Sequence, residues 1–170
     1  MNPNDDLCEL ERQQCILEEE HRMKVEKNKH RATVLRSDGL KLDVNFYLSP
    51  FANEHAGKEL ILDILNSGSA FLPAEDVNTG AIYFINTDNI IYLEISERDL
   101  EEETLLSREK RVQVELTNHE TLDMSFFIEM PEERSRVSDY LNFTPQFIYL
   151  CGKEKDMIVN KTYVFSVKDL

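Results

Sequence analysis

Apolar and polar residues alternate along paired segments of this 170-residue chain. The alternation is clearest in Val112–Leu116 and Leu122–Ile128, and Leu42–Leu48 repeats it in the same phase. Side chains two positions apart share one face of a strand, so each segment predicts a strand with one buried face. The strands of each pair are separated by Asp38-Gly39 or Asn118-His119. Because Asp-Gly is typical of tight hairpin turns, we predict two hairpins.

The two hairpins belong to an internal repeat. Residues 31–48 align with residues 111–128 without a gap, and five of the 18 columns are identical, where roughly one is expected by chance. After short deletions, which fall where loops are expected, further pairs align: Asp63–Asn66 with Asp139–Asn142, Phe71 with Phe147, Ile85-Asn86 with Val159-Asn160, and Ile90 with Val164. The chain is therefore predicted to be a tandem duplication.

A short helix is predicted after each hairpin. In the second copy, an apolar stripe with i, i+3, i+4 spacing consists of Val137, Tyr140 and Leu141. Pro131 and the two glutamates after it predict the start of this helix. Asn66 and Asn142 predict helix ends in the left-handed conformation. The apolar segments that follow, 81–95 and 156–167, each predict one long bent strand or a second hairpin.

These elements predict an α+β fold of two tandem β-β-α-β-β modules with small, strongly bent antiparallel sheets, preceded by an N-terminal helix. The predicted boundaries are 1–30 for the N-terminal helix, 31–96 for module one, 97–110 for a helical connector and 111–170 for module two. A module of about 60 residues is marginally stable alone. We therefore expect the modules to pack around one continuous core, or the chain to dimerise.

Charge and composition narrow the class of protein. The net charge of −14 repels phosphate backbones and makes nucleic acid an unfavourable partner, whereas it suits a basic partner. No apolar run approaches the roughly 20 residues that span a bilayer, and no basic-then-apolar export signal opens the chain. The three cysteines have no metal-ligand spacing. We expect a cytoplasmic protein that is not embedded in a membrane.

No familiar catalytic pattern is present. The sequence contains no nucleophile elbow, no phosphate-binding glycine loop and no clustered histidines. Asp76-x-Asn78-x-Gly80 resembles part of a calcium loop but lacks the remaining ligands, so a turn is predicted. Asp43 and Asp123 recur in the two copies, and we interpret them as exposed strand residues or local salt bridges. We therefore expect no enzymatic activity, metal or cofactor.

One basic stretch offers a candidate interaction surface. Its lysines are Lys24, Lys27 and Lys29, and several arginines lie around them between residues 22 and 36. Such a stretch could contact an RNA backbone or an acidic partner. Pairing with the acidic surface of the chain itself is the interpretation we favour.

The second copy also contains a family-like motif. Residues 136–142 read RVSDYLN, and they are followed by Phe147–Leu150 and Val159–Lys161. This resembles an uncharacterised bacterial domain family with an R-x-S-D-[FY]-L-N helix, an F-[IL]-x-L strand and a V-N-K segment. The resemblance implies no established activity, but it marks candidate interaction residues: Arg136, Ser138, Asp139, Asn142 and Lys161. Alternatively, Arg136 pairs with Asp139, and Asn142 caps the helix.

Copy one departs from that motif. Leu60 and Leu62 replace the arginine and the serine, and Thr87 replaces the lysine. If the motif has a shared role, module one has lost part of it. A looser likeness, to small β-barrel modules of the Sm type, concerns the fold alone.

The leading functional hypothesis is a non-enzymatic protein-binding or regulatory module that forms a homodimer. The first alternative is a small-ligand or nucleotide sensor with its site between the modules. The second alternative is an RNA-binding protein that uses the basic stretch.

Overall fold

The computed structural model describes residues 27–53, 55–100, 104, 107–134 and 136–170. The strands are β1 (Asn28–Arg36), β2 (Lys41–Leu48), β3 (Phe71–Asp76), β4 (Ile82–Asn86), β5 (Ile90–Ile95), β6 (Arg108–Leu116), β7 (Thr121–Ile128), β8 (Phe147–Leu150), β9 (Asp156–Asn160) and β10 (Val164–Asp169). The described helices are α1 (Ile61–Leu65) and α2 (Val137–Phe143). Short 3-10 turns span Thr87–Asn89, Glu132–Arg134 and Lys161–Tyr163. None of the described helices is long and apolar enough to cross a membrane.

The internal repeat is visible in the order of the elements. β1 to β5 with α1 follow the same order as β6 to β10 with α2, and both hairpins pair antiparallel. A 3-10 turn separates β4 from β5 and β9 from β10. The predicted bent strand at each of these places is therefore two strands with a corner. A bulge interrupts the pairing of β1 with β5 and of β6 with β10 at aligned positions.

The predicted α+β class with one small sheet per module is wrong. The chain is mostly β, and its strands form a seven-stranded sheet in the order β4-β3-β2-β1-β5-β9-β8 and a three-stranded sheet in the order β10-β6-β7. The two described helices contain only five and seven residues. β9 pairs antiparallel with β5, so two strands of module two extend the sheet of module one. Alternating patterns predict which face of a strand is buried, but not which strand lies beside it.

The ends of the predicted segments also need correction. Residues 1–26, and with them most of the predicted N-terminal helix, lie outside the described residues. Residues 28–30 belong to β1 and not to a helix. Of the predicted helical connector, residues 101–103, 105 and 106 lie outside the described residues, whereas 108–110 belong to β6.

Two apolar cores lie on opposite faces of the strands that join the modules. Along β8 and β9, Phe147, Tyr149 and Ile158 belong to the first core, with residues of module one. Their neighbours on the other face belong to the second core, with β6 and β7; they are Ile148, Leu150, Met157 and Val159. The expected single continuous core is therefore two cores, each built from both modules.

The helix ends differ from the prediction. A 3-10 turn, Glu132–Arg134, follows Pro131, and α2 begins only at Val137. Asn142 lies inside α2, and Asn66 ends α1 with a φ of −92°, outside the left-handed region. The left-handed residue near α1 is Gly68, at a φ of 82°. A glycine adopts this conformation without the steric cost that an asparagine pays.

The hairpin turns have positive φ angles at aligned positions. Gly39 has a φ of 83°, and His119 has a φ of 67°. This φ is unfavourable for a histidine. The neighbouring Asn118 accepts a hydrogen bond from the Glu120 backbone N–H at 3.1 Å, which stabilises the turn.

An ion-pair cluster links the modules on the surface. Glu94 of β5 accepts hydrogen bonds from Lys41 Nζ at 2.8 Å and from Lys155 Nζ, just before β9, at 2.7 Å. Burial raises the pKa of Glu94, but the hydrogen bonds from Lys155 and Lys41 outweigh it, so the pKa lies below its ordinary value. The carboxylate therefore stabilises the folded chain when it is ionised.

Replacement of Glu94 by glutamine is expected to have a pH-dependent effect. Because the folded pKa is depressed, the contribution is present above the ordinary pKa of 4.5 and disappears as pH falls through the folded value. Glu94→Gln should lower the free energy of unfolding by about 1 kcal/mol near pH 7, since both lysines lie half in solvent. At a pH low enough to protonate Glu94 in the folded chain, the variant should match the wild type. Urea unfolding at both pH values measures this, and a difference that persists in acid would contradict it.

Candidate functional site

Two adjoining depressions lie between the modules, where α1 and α2 come together. The first has a volume of about 380 Å³ and the second of about 480 Å³. Four residues line both depressions: Leu62, Asp63, Tyr140 and Thr144. We call the two lobes together the inter-module groove.

One wall of the groove is α1, whose start is fixed by two carboxylates. Asp63 accepts a hydrogen bond from the Leu60 backbone N–H at 2.8 Å, and Asp99 accepts one from the Ile61 N–H, also at 2.8 Å. Asp99 is 2% exposed and forms an ion pair with Lys58 at 3.2 Å. Carboxylates satisfy the otherwise unpaired N–H groups at a helix start. α1 is therefore held in place although it is only five residues long.

The opposite wall is α2, which rests on the second core. The Tyr140 ring stacks on the buried Phe126 ring with a centroid distance of 4.5 Å. Burial, together with the nearby Glu129 and Cys151, raises the pKa of Tyr140 to about 12. The Tyr140 hydroxyl is therefore protonated at neutral pH and can donate a hydrogen bond into the groove.

The far end of α2 is fixed by Lys161. Its ammonium group donates hydrogen bonds to the carbonyl oxygens of Leu141 and Thr144, both at 2.6 Å. Burial lowers the pKa of Lys161. A cation at the carbonyl end of a helix is stabilising, so this motif residue positions the groove wall.

The floor of the first lobe is apolar. Besides Leu62, it is lined by Leu60, Leu100, Phe127 and Met130. Leu60 and Leu62 are the residues by which copy one departs from the family motif. In copy two the aligned Arg136 and Ser138 are exposed. The two leucines that replace motif residues in copy one therefore form part of the apolar lining of the groove.

The polar groups of the groove include a His–Asp pair. His55 Nε2 lies 2.8 Å from Asp63 Oδ2. The Thr144 hydroxyl in the same groove donates to the Tyr140 carbonyl oxygen at 2.7 Å. Asp63 also holds the start of α1, so the pair has a positional role in the wall.

The motif residues do not gather in the groove. Arg136, Ser138 and Asn142 are exposed on α2, and Asp139 is half-buried. No ion pair joins Arg136 to Asp139 among the described residues, and Asn142 does not cap α2, so both structural alternatives for these residues are wrong.

The basic stretch is largely paired with the acidic groups of the chain. Lys29 Nζ lies 2.8 Å from Glu75 Oε2, Arg31 lies 3.4 Å from Asp43, and Arg36 lies 2.5 Å from Asp38. Lys27 is exposed, and Lys24 lies outside the described residues. These contacts agree with the interpretation that the stretch compensates local negative charge.

The recurrent aspartates and the calcium-like segment have local partners. Asp43 accepts a hydrogen bond from the Thr33 hydroxyl at 2.5 Å, and Asp123 accepts one from Gln113 at 2.9 Å. Asp76 accepts hydrogen bonds from the N–H groups of the two residues at 78 and 79, which is a turn. Within the described ranges, no group of three or more His, Cys, Asp or Glu side chains could hold a metal ion.

An asparagine contact that the sequence did not indicate joins the modules beside the groove. The Asn66 side chain donates to the Phe147 carbonyl at 3.0 Å and accepts from the Phe147 N–H at 2.9 Å. Asn66 was predicted as a helix cap, and it does end α1. Its side chain nevertheless bonds to the other module, a role that no local pattern reveals.

Comparison with protein-family models, curated proteins and solved structures finds no match for this chain, so the resemblance to the bacterial domain family stays a prediction.

Proposed function

We propose that the chain is a non-enzymatic protein-binding module whose inter-module groove receives apolar side chains of a basic partner segment. The two-lobed shape of the groove, with its apolar floor, carries the proposal. Lobes of about 380 and 480 Å³ that meet at four shared residues offer two adjoining places for side chains of one partner segment.

The apolar floor supplies the affinity. Partly buried Leu62, Leu100 and Phe127 face the groove, and covering them removes apolar surface from water. Such burial contributes about 25 cal/mol per Å². Apolar anchors that fill a pocket typically dominate the energetics of protein interfaces.

Carboxylates at the groove favour a basic partner. Glu129 in the first lobe is exposed and has no cationic partner among the described residues. Glu59 lines the second lobe, and Asp63 is shared by both. The net charge of −14 adds long-range attraction for a cationic segment.

Selection of random peptides on the immobilised chain tests the proposal. The expected consensus combines lysine or arginine with leucine, phenylalanine or methionine. Leu62→Lys, which places a cation on the apolar floor, should raise the dissociation constant of the selected peptide by about tenfold or more. The matched control is Leu40→Lys, because Leu40 is 60% exposed in the first hairpin turn. Peptide binding that survives Leu62→Lys would contradict the assignment.

A small-ligand or nucleotide sensor is the second candidate. The 380 Å³ lobe lies within the usual size range of ligand pockets. The protonated Tyr140 hydroxyl and Asp63 would orient a polar group of such a ligand. Native mass spectrometry of the freshly purified chain distinguishes the two candidates, because a co-purifying small mass favours the sensor.

RNA binding has less support. The paired Lys29, Arg31 and Arg36 leave little free positive charge in the described part of the basic stretch. Steeply salt-dependent RNA binding that is lost when Lys24, Lys27 and Lys29 are neutralised would favour RNA binding over the other two candidate functions.

The expected homodimer and the cytoplasmic location remain part of the proposal. Exposed edge strands support self-association. The buried Cys151 is a free thiol, which agrees with a reducing compartment.

A further inference from the structure

The two sheets end in four strands, and the Ser125–Cys151 bridge joins one of them, β7, to the residue that follows another, β8. The other two end strands, β4 and β10, have open edges in the described part of the chain. β4 pairs only with β3, and β10 pairs only with β6. Their counterparts in the repeat are β9 and β5, and these two strands pair with each other across the module boundary. The pairing of β5 with β9 therefore has an equivalent in the repeat, the pairing of β10 with β4, and this second pairing is not formed within the described part of the chain.

The burial of these strands shows the same asymmetry. All five residues of β9 are buried, and Ile158 is 0% exposed. The aligned residue of β4 is Phe84, which is 70% exposed. β5 is almost entirely buried, whereas β10 is mostly exposed, with Phe165 at 73%. An exposed apolar strand edge is a template for pairing with another chain.

The asparagine contact is also made only once. Asn66 holds the backbone of Phe147, whose side chain is 1% exposed. The aligned Asn142 has no side-chain hydrogen bond among the described residues, and the aligned Phe71 is 57% exposed. Both halves of a second contact are thus present on the surface of one chain.

We propose that β10 of one chain pairs antiparallel with β4 of a second copy, in the register that β5 uses with β9. Glu94 lies opposite Met157 within the chain, so Lys168 lies opposite Tyr83 between chains. Leu93 likewise lies opposite Ile158, so Val167 lies opposite Phe84. Phe84 then covers the second core of the neighbour, as Ile158 covers the first core within the chain.

The contact is head-to-tail, because each chain offers one β10 edge and one β4 edge. Such contacts close into a ring when the rotation between copies permits it, and a ring leaves neither edge unpaired. This inference deepens the self-association part of the proposed function. It does not involve the inter-module groove, so each can fail without the other.

Sedimentation velocity of the full chain between about 1 and 100 μM tests the assembly. The wild type should self-associate over this range, and Phe84→Asp should raise the dissociation constant by about tenfold or more. Phe51→Asp is the matched control, since Phe51 is 76% exposed and lies outside both edges. Both positions are exposed, so thermal unfolding should show that both variants fold. A monomeric wild type, or an oligomer that Phe84→Asp leaves intact, overturns the proposal.

Cross-linking tests the register. Tyr83→Cys and Lys168→Cys chains, each also carrying Cys8→Ser and Cys15→Ser, are mixed and treated with a short bis-thiol reagent. Cys151 is buried, and burial raises its pKa to about 11, so it should not react. The mixture should give a linked pair, whereas Tyr83→Cys mixed with Leu40→Cys should not. Equal linkage in both mixtures overturns the register.

The groove is tested separately from this contact. If the groove proposal holds, the selected peptides should still bind the Phe84→Asp variant.

Discussion

Replacement of Asn160 by alanine is expected to lower the free energy of unfolding by about 2–3 kcal/mol. Asn160 is 0% exposed, and its amide donates to the Ile90 carbonyl at 3.0 Å, at the start of β5. Its carbonyl oxygen accepts from the Thr162 N–H at 3.0 Å and from Gln146 at 3.3 Å. The substitution leaves the buried Ile90 carbonyl without its partner, and the penalty for an unsatisfied buried group is large.

Asn86 is the matched control for this variant, because the repeat places it at the position of Asn160. Like Asn160, the Asn86 side chain accepts a turn-capping hydrogen bond, here from the Asp88 N–H at 2.9 Å. Unlike Asn160, it is only half-buried, and it lies on β4, whose outer edge is open. Asn86→Ala should cost about 1 kcal/mol or less. Urea unfolding of both variants at low protein concentration compares the two costs, and equal losses would contradict the inter-module role of Asn160.

The substitution Phe126→Ala should be more damaging, with a loss of about 3–5 kcal/mol. Phe126 is 0% exposed in the second core and stacks on Tyr140. Removal of the ring leaves a cavity and also takes away the support of α2, so binding of selected peptides in the groove should weaken. Phe51→Ala is the control, since a 76% exposed ring should change stability by no more than about 0.5 kcal/mol.

Thermal and urea unfolding measure the stability of both phenylalanine variants, and fluorescence anisotropy of a labelled peptide measures groove binding. If Phe126→Ala bound peptide as well as the wild type at a temperature where it is folded, α2 would not depend on this stacking. The groove would then need another explanation for the position of its second wall.

The hairpins could be predicted from the sequence because a strict alternation of apolar and polar residues indicates a strand with one buried face. Val112, Val114 and Leu116 are at most 1% exposed, as the period of two requires. The run Phe147–Leu150 has no alternation, and all four residues are buried because both faces of β8 are covered. A continuous apolar run indicates a strand covered on both faces, but it does not say which elements cover it.

The candidate site was less predictable. The family motif directed attention to Arg136, Ser138 and Asn142, which are exposed, while the groove uses Leu60 and Leu62 of the other copy. These leucines look like ordinary core residues in a sequence. Their role depends on α1 lying opposite α2, and the β5–β9 pairing that brings the modules together is a long-range contact that local patterns do not encode.

The modules share one sheet through β5 and β9, so we expect them to unfold as one unit. Native-state amide hydrogen exchange as a function of urea tests it most directly. The slowest amides of β1 in module one and of β6 in module two should converge on one free energy of global opening, together with those of β5 and β9. Convergence on two separate values, with β9 following β6 but not β1, would show that the modules unfold separately.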